Sequence, residues 1–570
     1  MGKKVILVIL FLLVAFCLRF SRLDSFPISL FADEVDVGDQ AYSILKTGKD
    51  YFGNPWPVDF QSYGDWRTPF FIYSSIPAVA IFGLNELGVR FTPAFFGLLG
   101  VMAIFFLVRE MFKDFKIAFF SLIFLTFSFW HLHYSRAAFE VTEMLFLYFL
   151  ALFFFFKSFN NQKLIFLSAF FIGLTSYVYN APKLFTPLLI ILMVIIYRQE
   201  LLRFSKKILL ITLVFFVILE TPFLLSLISG TGGSRFSSLS IFTEPTVIPE
   251  IGFRRLEDIM AVTGEYPPIG TPPIFSSRVF HNKFLSTGLV FLNNYLEAFS
   301  TRFLFTFGDI KLRHSSQMMG VLFWVDIILI PLGLFWLFTK NKNRKLAWFL
   351  LFWLLIAPIS SALTRDGKDH ATRLILMLPP LVIFSSLGVN LLYNSRKKWI
   401  LVVLSVVFLG QFILYWHDYY VHYPVRSERW WHWGFKETML KTKEIEGDYE
   451  RIVFSDRGDP PERFFLFWFQ FDPSAWQKGQ EMVDLNPCLT DLKKIDKYYF
   501  GHIQENCLSK WDLSGILDKK TLYVFPASEL GGINFANEAM ITGGELLESI
   551  YFPYTQEPAF YVIKGIEESL

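Results

Sequence analysis

The sequence predicts an α-helical, polytopic membrane protein that ends in a small mixed α/β domain. Hydrophobic residues make up 53% of the 570 residues and charged residues only 18%, and the mean hydropathy is +0.43. Average soluble domains contain about 25% charged residues. Most of residues 1–420 consists of apolar runs close to the roughly 20 residues that cross a bilayer. We therefore expect a bundle of membrane helices over 1–420, with outward loops 21–87 and 229–319, and a second domain over 421–570.

The apolar runs predict about 11 transmembrane helices, since each run approaches the length of a span. The predicted spans are 4–20, 88–108, 117–133, 139–156, 164–179, 184–197, 208–228, 320–339, 346–363, 373–393 and 399–416. A further apolar stretch, 69–84, is shorter, contains Pro77 and is followed directly by Asn85 and Glu86. We predict an interfacial or re-entrant helix for this stretch.

Basic residues between the spans predict the orientation of the chain. With a cytoplasmic N-terminus, every basic loop falls on the cytoplasmic side, as the positive-inside rule requires. These loops carry Lys3, Lys4, Arg109, Lys113, Lys116, Lys157, Lys163, Arg198, Arg203, Lys206, Lys207, Lys340, Lys342, Arg344, Lys345, Arg396, Lys397 and Lys398. The loops 21–87 and 229–319 and the tail then face outward. The prediction is a multi-pass protein of the plasma (inner) membrane.

Composition also excludes several function classes. The net charge of +3 is too small and too evenly spread to indicate nucleic-acid binding. Three cysteines are too few for a cysteine-rich metal or disulfide scaffold, and Cys488 and Cys507 either form a bridge or are two unrelated thiols. The tail has strand-like runs such as "RIVFS" and "TLYVF". It has no glycine-rich phosphate loop, which argues against a nucleotide-sugar enzyme.

Charged residues at the outer ends of the spans indicate an anionic partner. Arg136, Lys183, Arg365, Lys368 and Arg373 lie there, where they do not help orientation. Charges at membrane depth usually have a partner, although the alternative is that these side chains reach lipid headgroups. The loop 229–319 is rich in Gly, Ser and Pro and has no strong periodic apolar signal, so we predict a lid.

The first outward loop opens with "DEVDVGDQAY" and continues to "DWRTPFFIY". It resembles the first extracytoplasmic loop of the GT-C glycosyltransferases of the protein O-mannosyltransferase and aminoarabinose-lipid A transferase type. The matching elements are Asp33-Glu34, Tyr42, Gly48, Gly53 and Arg67-Thr68-Pro69, with Arg67 where Lys is commoner. The resemblance continues through Arg90, through Arg136 and Glu140 in "HLHYSRAAFE", through "YVYNAPK" and, weakly, "TRDGKDHATR". It covers most of the membrane part.

The resemblance implies a phospholipid carrier-dependent enzyme that moves a sugar from a polyprenyl-phosphate donor to an acceptor hydroxyl, with inversion, at the outer membrane face. Asp33 occupies the position of the general base, and Glu34 is the second catalytic candidate. The phosphate leaving group needs cations; the candidates are Arg67, Arg313, His314, Arg365, His370 and Arg373. The candidates for sugar or acceptor contacts are Tyr42, Asp65, Arg136, Glu140, Tyr177, Tyr179 and Lys183. The acceptor is a lipid, a glycan or a protein.

Each assignment has a structural alternative. The acidic triplet Asp33, Glu34 and Asp36 is also typical of a solvated turn, and Glu140 of a helix N-terminus. Tyr177 and Tyr179 also fit an aromatic belt. A divalent metal is possible, since the triplet offers oxygen ligands and His131 and His133 lie on the same side. As a whole, the chain is alternatively a transporter or flippase, or a binding protein, for lipid-linked glycans.

Overall fold

The computed structural model of the protein describes residues 2–395, 398–507, 513–530 and 542–566. Arg396 and Lys397, which belong to the last predicted basic loop, lie outside the described residues. The chain divides into two compact units. The first, here called the membrane unit, comprises Met1–Leu18, Phe96–Tyr134 and Glu140–Trp416. The second, here called the sheet unit, comprises Arg19–Phe95, Ser135–Phe139 and His417–Leu570.

Helices dominate the part of the chain that the structure describes. They are α1 (Lys3–Phe20), α2 (Ala32–Thr47), α3 (Phe70–Phe82), α4 (Glu86–Phe112), α5 (Phe115–Phe127), α6 (Phe129–Tyr134), α7 (Val141–Ser158), α8 (Ile165–Leu174), α9 (Pro182–Leu201), α10 (Lys206–Ser229), α11 (Ser234–Leu239), α12 (Val247–Thr263), α13 (Phe275–Phe280), α14 (Lys283–Glu297), α15 (Asp326–Thr339), α16 (Arg344–Ile356), α17 (Ile359–Ala362), α18 (Ala371–Leu374), α19 (Leu378–Tyr393), α20 (Lys398–Val421), α21 (Tyr423–Ser427), α22 (Phe435–Ile445), α23 (Pro461–Phe469) and α24 (Pro473–Trp476).

Seven helical segments of the described chain are long and apolar enough to cross a membrane. They are Glu86–Phe112, Val141–Ser158, Pro182–Leu201, Lys206–Ser229, Arg344–Ala362, Ala371–Tyr393 and Lys398–Val421. Four shorter apolar helical segments cover Phe70–Phe82, Phe115–Phe127, Gln162–Tyr177 and Asp326–Thr339. The chain is therefore a mostly helical, multi-pass membrane protein, as predicted. The interfacial placement of 69–84, now helix α3, stays a prediction.

Two predicted spans are shorter as helices than the apolar runs suggested. The run 117–133 is interrupted because Ser128 leaves helical geometry with a ψ of 119°, which separates α5 from α6. The run 320–339 becomes helical only at Asp326, where α15 begins. Apolar composition alone does not distinguish a helix from an adjoining apolar turn. The two apolar runs therefore predicted helices longer than those in the structure.

The segment 229–319 is more helical than predicted. It contains α11 to α14 and a π-helical turn at Arg302–Thr306. In α14, Leu285, Leu289, Leu292 and Leu296 recur at intervals of four and three residues and are exposed. This is the spacing of one face of a helix. The expectation of a segment without strong periodicity was therefore wrong for this stretch.

The described residues of the sheet unit form nine strands. They are β1 (Phe60–Ser62), β2 (Asp65–Arg67), β3 (Arg451–Phe454), β4 (Glu481–Val483), β5 (Leu492–Ile495), β6 (Tyr498–Phe500), β7 (Thr521–Pro526), β8 (Gly544–Tyr551) and β9 (Pro558–Gly565). Strands β1 and β2 form a hairpin, and the others form one sheet in the order β4-β5-β6-β3-β7-β9-β8. Strand β3 runs parallel to β6 and β7, and the other pairs are antiparallel. The predicted mixed α/β tail is confirmed.

The core of the sheet unit contains residues from both ends of the chain. Val35 and Phe60 of the first loop belong to the same buried cluster as Phe464 and Phe500 of the tail. The first loop therefore groups with the tail, whereas the predicted division at residue 420 assigned it to the helix bundle. Burial of the loop's apolar side chains against α23 and the sheet is the physical reason for this difference.

Candidate functional site

The acidic residues of the first loop lie on a helix rather than on a solvated turn. Asp33 and Glu34 occupy the first turn of α2, where carboxylates interact favourably with the helix dipole. The helix ends at Gly48, whose φ of 70° is easily reached only without a side chain. Asp36 and Asp39 follow on the same helix and are buried. The alternative of a solvated turn is therefore wrong.

A short hairpin brings Arg67 to this helix. Strands β1 and β2 are joined by Tyr63 and Gly64, and Arg67 pairs in register with Phe60. Arg67 Nη2 donates a hydrogen bond to Asp33 Oδ1 at 2.6 Å, and its Nε forms an ion pair with Asp36 Oδ2. One guanidinium therefore holds two carboxylates of α2. A planar guanidinium fork is well suited to such double contacts.

Asp36 is the buried side of this arrangement. Its Oδ1 accepts hydrogen bonds from Tyr51 Oη at 2.6 Å and from Ser62 Oγ at 3.0 Å. Burial raises the pKa of Tyr51, and the neighbouring Asp36 carboxylate raises it further. The tyrosine therefore stays a hydrogen-bond donor, and Asp36 is fixed within the protein rather than offered to a ligand.

Glu34 is also fully buried, and it pairs with Arg90. Glu34 Oε1 lies 3.0 Å from Arg90 Nε, and Oε2 lies 3.1 Å from Arg90 Nη2. The same carboxylate accepts a hydrogen bond from the Ala138 amide at 2.8 Å, and Arg90 also donates to the Pro27 carbonyl at 2.7 Å. Glu34 thus connects three separate parts of the sheet unit.

Exposure separates Asp33 from its neighbours. The Asp33 side chain is 39% exposed, whereas those of Glu34 and Asp36 are both 0% exposed. Arg67, at 8%, is nearly buried. Asp33 is therefore an accessible carboxylate that a buried network holds in place.

The membrane unit contains a second polar cluster, formed by Asp309, His314 and His370. His314 Nδ1 lies 3.1 Å from Asp309 Oδ2, and the two imidazole rings are 4.7 Å apart between centroids. Thr372 Oγ1 lies 3.2 Å from His314 Nδ1. Burial lowers the pKa of His370, and the nearby positive charge of Arg373 lowers it further, so its imidazole is neutral.

A neighbouring ion-pair network surrounds Asp366. Its Oδ1 accepts from Arg373 Nη1 at 2.5 Å, and its Oδ2 accepts from Lys311 Nζ at 3.0 Å. Burial raises the pKa of Asp366, but the charges of Arg373 and Lys311 outweigh burial and lower it to about 2. Asp366 is therefore ionised and holds both cations in place.

A cavity of about 280 Å³ lies beside this network in the membrane unit. Its wall is mostly apolar and includes Phe223 and Leu239, but three cationic side chains also line it: Lys183, Arg235 and Arg373. Lys183 Nζ donates to the Gly232 carbonyl at 2.8 Å. An apolar cavity with cations in its wall fits an amphipathic anion.

Comparison with known proteins identifies the fold. Residues 67–225 match the sequence model of a family described as dolichyl-phosphate-mannose-protein mannosyltransferase. The structure is similar to ArnT from Cupriavidus metallidurans bound to undecaprenyl phosphate, with a TM-score of 0.51, 12% sequence identity and 98% of each chain covered. The chain has the GT-C glycosyltransferase fold. Comparison with curated protein sequences gives no match.

Two further structures resemble this chain with lower TM-scores. The apo state of the same ArnT has a TM-score of 0.42, 12% identity and 98% coverage of both chains. The archaeal oligosaccharyltransferase AglB from Archaeoglobus fulgidus, in complex with an inhibitory peptide and a dolichol-phosphate, has a TM-score of 0.48 and 13% identity. That match covers 81% of this chain and 63% of AglB.

Several residues predicted to bind ligands have structural contacts in the GT-C fold. Arg136 is fully buried and donates to the backbone carbonyls of Ser21 at 2.8 Å and Arg19 at 3.3 Å. Arg67 was predicted to bind the donor phosphate, yet its guanidinium contacts carboxylates instead. Ligand binding by Arg136 and Arg67 stays a prediction, and the sequence alone does not reveal that the fold supplies each of them with partners.

Some of the other predicted residues line the cavity. Tyr179, Lys183 and Arg373 line the cavity of the membrane unit. Other predicted residues have contacts within the protein. The Tyr177 hydroxyl donates to the Leu219 carbonyl at 2.5 Å, and Arg365 donates to the Thr243 carbonyl at 3.0 Å.

For four further predicted residues, the contacts described here are with the protein itself. Tyr42 packs against the core of the sheet unit, and the Asp65 carboxylate accepts from the Trp66 amide at 2.7 Å. Glu140 precedes the first residue of α7, and the carbonyl of Arg313 lies 2.9 Å from His133 Nε2. The ligand contacts of these four residues stay predictions.

The sequence analysis did not single out Asp309 or Arg235, and it did not pair Glu34 with Arg90. Asp309 precedes His314 by five residues in "GDIKLRH", so the spacing of a carboxylate and an imidazole was visible. Arg235 lies in the Gly- and Ser-rich start of the segment 229–319, where no pattern distinguishes it. The partnership of Glu34 with Arg90 spans 56 residues. Only the tertiary structure brings such distant residues together.

Proposed function

We propose that the chain transfers a sugar from a polyprenyl-phosphate donor to an acceptor hydroxyl at the outer face of the membrane, with inversion at the anomeric carbon. The observation that carries this proposal is the accessible Asp33 carboxylate, held by Arg67 in an otherwise buried acidic network. The GT-C fold supports the reaction class. The base and the carrier cavity belong to different compact units, so their roles are assigned separately.

Asp33 is the proposed general base. The acceptor hydroxyl attacks the anomeric carbon, its proton passes to an Asp33 carboxylate oxygen, and the bond between that carbon and the phosphate oxygen breaks. The bonding electrons leave with the phosphate, which needs no proton at that stage. Arg67 and Glu34 are positioning residues: Arg67 orients Asp33, and Glu34 fixes the start of α2 through Arg90.

The cavity of the membrane unit is the proposed site of the lipid carrier. Its apolar wall suits the start of an isoprenoid chain, and Lys183, Arg235 and Arg373 suit the phosphate. The ArnT structure with bound undecaprenyl phosphate supports a carrier of this class. His314 and His370 are less suited to the phosphate, because the Asp309 carboxylate beside them repels an anion.

The proposed orientation has the N-terminus in the cytoplasm and the first loop and tail on the extracytoplasmic side of the plasma membrane. The basic loops support this orientation. The disulfide between Cys488 and Cys507 supports it as well, since disulfides persist in oxidising compartments.

The purified protein in lipid vesicles provides the test, with a panel of polyprenyl-phosphate monosaccharides as donors. We expect Asp33→Asn to reduce sugar transfer roughly 100-fold or more, because the amide cannot accept the proton. Donor binding remains, since the cavity residues are unchanged. Asp24→Asn is the matched control, because Asp24 is an exposed carboxylate of the same loop. Full transfer activity in Asp33→Asn would contradict the assignment of the base, and absence of donor binding would contradict the proposed carrier.

A further inference from the structure

The cluster of Asp309, His314 and His370 is not needed for the proposed transfer chemistry, and its composition is that of a metal site. Two imidazoles and one carboxylate each offer one ligand atom, and these three atoms lie within 4.8 Å of one another. We propose that this cluster binds one divalent transition-metal ion of the zinc class. The proposal goes beyond sugar transfer and stands independently of it.

The backbone holds the carboxylate of this cluster in place. Asp309 Oδ1 accepts from the Lys311 amide at 2.8 Å, and Oδ2 accepts from the Ala371 amide at 2.8 Å. Asp309 is 1% exposed. Amide donors from two distant segments therefore fix a buried anion. Oδ1 retains a lone pair for a metal, and Oδ2 also lies 3.1 Å from His314 Nδ1. Such outer contacts are what orient metal ligands in proteins.

His370 provides the second independent observation. The residue is 8% exposed, and among the described residues its Nδ1 has no hydrogen-bond partner. A buried polar nitrogen without a partner costs free energy unless a ligand, water or ion satisfies it. A neutral imidazole nitrogen is a preferred ligand of zinc and related ions.

The cations nearest this cluster have carboxylate partners of their own. Lys311 and Arg373 both pair with Asp366, and Arg302 pairs with Asp369 at 3.0 Å. The charge partner that the structure gives Asp309 is the His314 imidazole. A metal binds imidazole in its neutral form, so the three ligands of a bound ion would carry one negative charge. A divalent cation would offset this charge and use both histidines.

The spacing requires only a small contraction of the three side chains. Ligands of a tetrahedral zinc ion, at bond lengths of about 2.1 Å, lie about 3.4 Å apart. The three ligand atoms lie within 4.8 Å of one another, so any separation above about 3.4 Å must shorten when a metal binds. Three protein ligands leave one coordination position for water or an anionic oxygen, as in open zinc sites.

The test is the metal content of the full-length protein, purified without a polyhistidine tag and equilibrated with micromolar Zn²⁺. We expect about one zinc per chain for the wild type. Asp309→Asn, His314→Gln and His370→Gln should each lower zinc occupancy at least tenfold, and Asp309→Asn still offers an oxygen acceptor to the Ala371 amide. His281→Gln is the matched control, because His281 also pairs with a carboxylate, that of Asp258 at 3.3 Å, but lies outside the cluster.

The wild type alone gives a second readout if a variant does not fold. Zinc should raise its melting temperature, chelation should reverse the rise, and Co²⁺ should give the visible absorption of a cobalt site with nitrogen ligands. Zinc occupancy below about 0.1 per chain in the folded wild type overturns the proposal, as does full occupancy in the three cluster variants. Because these readouts do not use sugar transfer, a failed transfer assay leaves the metal proposal unaffected.

Discussion

At the scale of single residues, the carboxylates of α2 have different roles because they differ in exposure and in partners. Asp33 is accessible and held by Arg67, whereas Glu34 is enclosed by Arg90 and the Ala138 amide. The two residues are adjacent in sequence and both are acidic, so the sequence does not indicate that they differ in exposure and in partners. Adjacent positions on a helix differ by about 100° in direction, which turns one side chain outward and the other into the protein.

Glu34 and Arg90 predict a strong effect on stability. Arg90→Met leaves the buried Glu34 carboxylate without its cation, and breaking a buried pair in this way costs about 3 kcal/mol or more. We expect a clearly lower melting temperature in detergent. The double variant Arg90→Met with Glu34→Gln should recover more than half of the loss, because the uncompensated charge is gone. A double variant no more stable than Arg90→Met would show that the loss has another origin.

Asp39 predicts a pH dependence of stability. Burial raises the pKa of Asp39 well above its ordinary value, the nearby Asp36 raises it further, and Arg463 only partly opposes them. The folded state therefore holds this proton more tightly than the unfolded state does. The stabilisation is complete below the ordinary value near 3.8 and is lost as the pH rises through the folded-state pKa.

Replacing Asp39 tests this sign. Asp39→Asn should raise the melting temperature relative to the wild type at pH 8, and the difference should shrink toward pH 4, because the amide has no proton to lose. Asp24→Asn, at an exposed position of the same loop, should leave the pH profile of the melting temperature unchanged. Parallel profiles for wild type and Asp39→Asn would contradict the prediction.

At the scale of secondary structure elements, short connections position the chemically active side chains. Gly64, with a φ of 80°, closes the hairpin that places Arg67 opposite Asp33 and Asp36. Gly48 ends α2 with a φ of 70°. Any side chain at either position would strain the backbone, since both lie in the left-handed region. These two glycines therefore keep the hairpin and the helix at the lengths the cluster requires.

The disulfide of the tail predicts a measurable stabilisation. Cys488 lies after β4 and Cys507 after β6, 19 residues apart. Closing a loop of this size contributes about 3 kcal/mol through the entropy of the unfolded chain. We expect the double variant Cys488→Ser and Cys507→Ser to melt at a lower temperature. Reducing agent should lower the melting temperature of the wild type but not that of the double variant.

Cys17→Ser is the control for this comparison, because Cys17 is the free cysteine of α1. It should melt like the wild type and respond equally to reducing agent. A wild type indifferent to reduction, with its thiols reactive toward alkylation, would contradict the disulfide and weaken the proposed extracytoplasmic placement of the tail.

At the scale of the whole molecule, the two compact units group residues that are far apart in the chain. The sheet unit combines residues 19–95, 135–139 and 417–570. The first loop thereby packs its apolar side chains together with those of the tail, and Val35 and Phe464 belong to one core. Variants that unfold the tail should therefore also release the α2 carboxylates, which makes folding of the tail a requirement for the proposed base.

Much of the molecule was predictable from local patterns. Apolar runs predicted the positions of the membrane helices, although Ser128 and the start of α15 at Asp326 shortened two of them. The motif of the first loop indicated the GT-C fold. The roles of Arg67, Arg136 and Glu34 were harder to predict, because each depends on which neighbour the fold supplies.

The sequence by itself determined the membrane character, the mixed α/β tail and the acidic first loop, because hydrophobicity and helix propensity act over the roughly 20 residues of one element. The tertiary structure decided which charges are buried and paired: Glu34 with Arg90, and Asp309 with His314 and His370. Contacts between residues tens to hundreds of positions apart depend on how the elements pack. This packing leaves no local signal in the order of the amino acids.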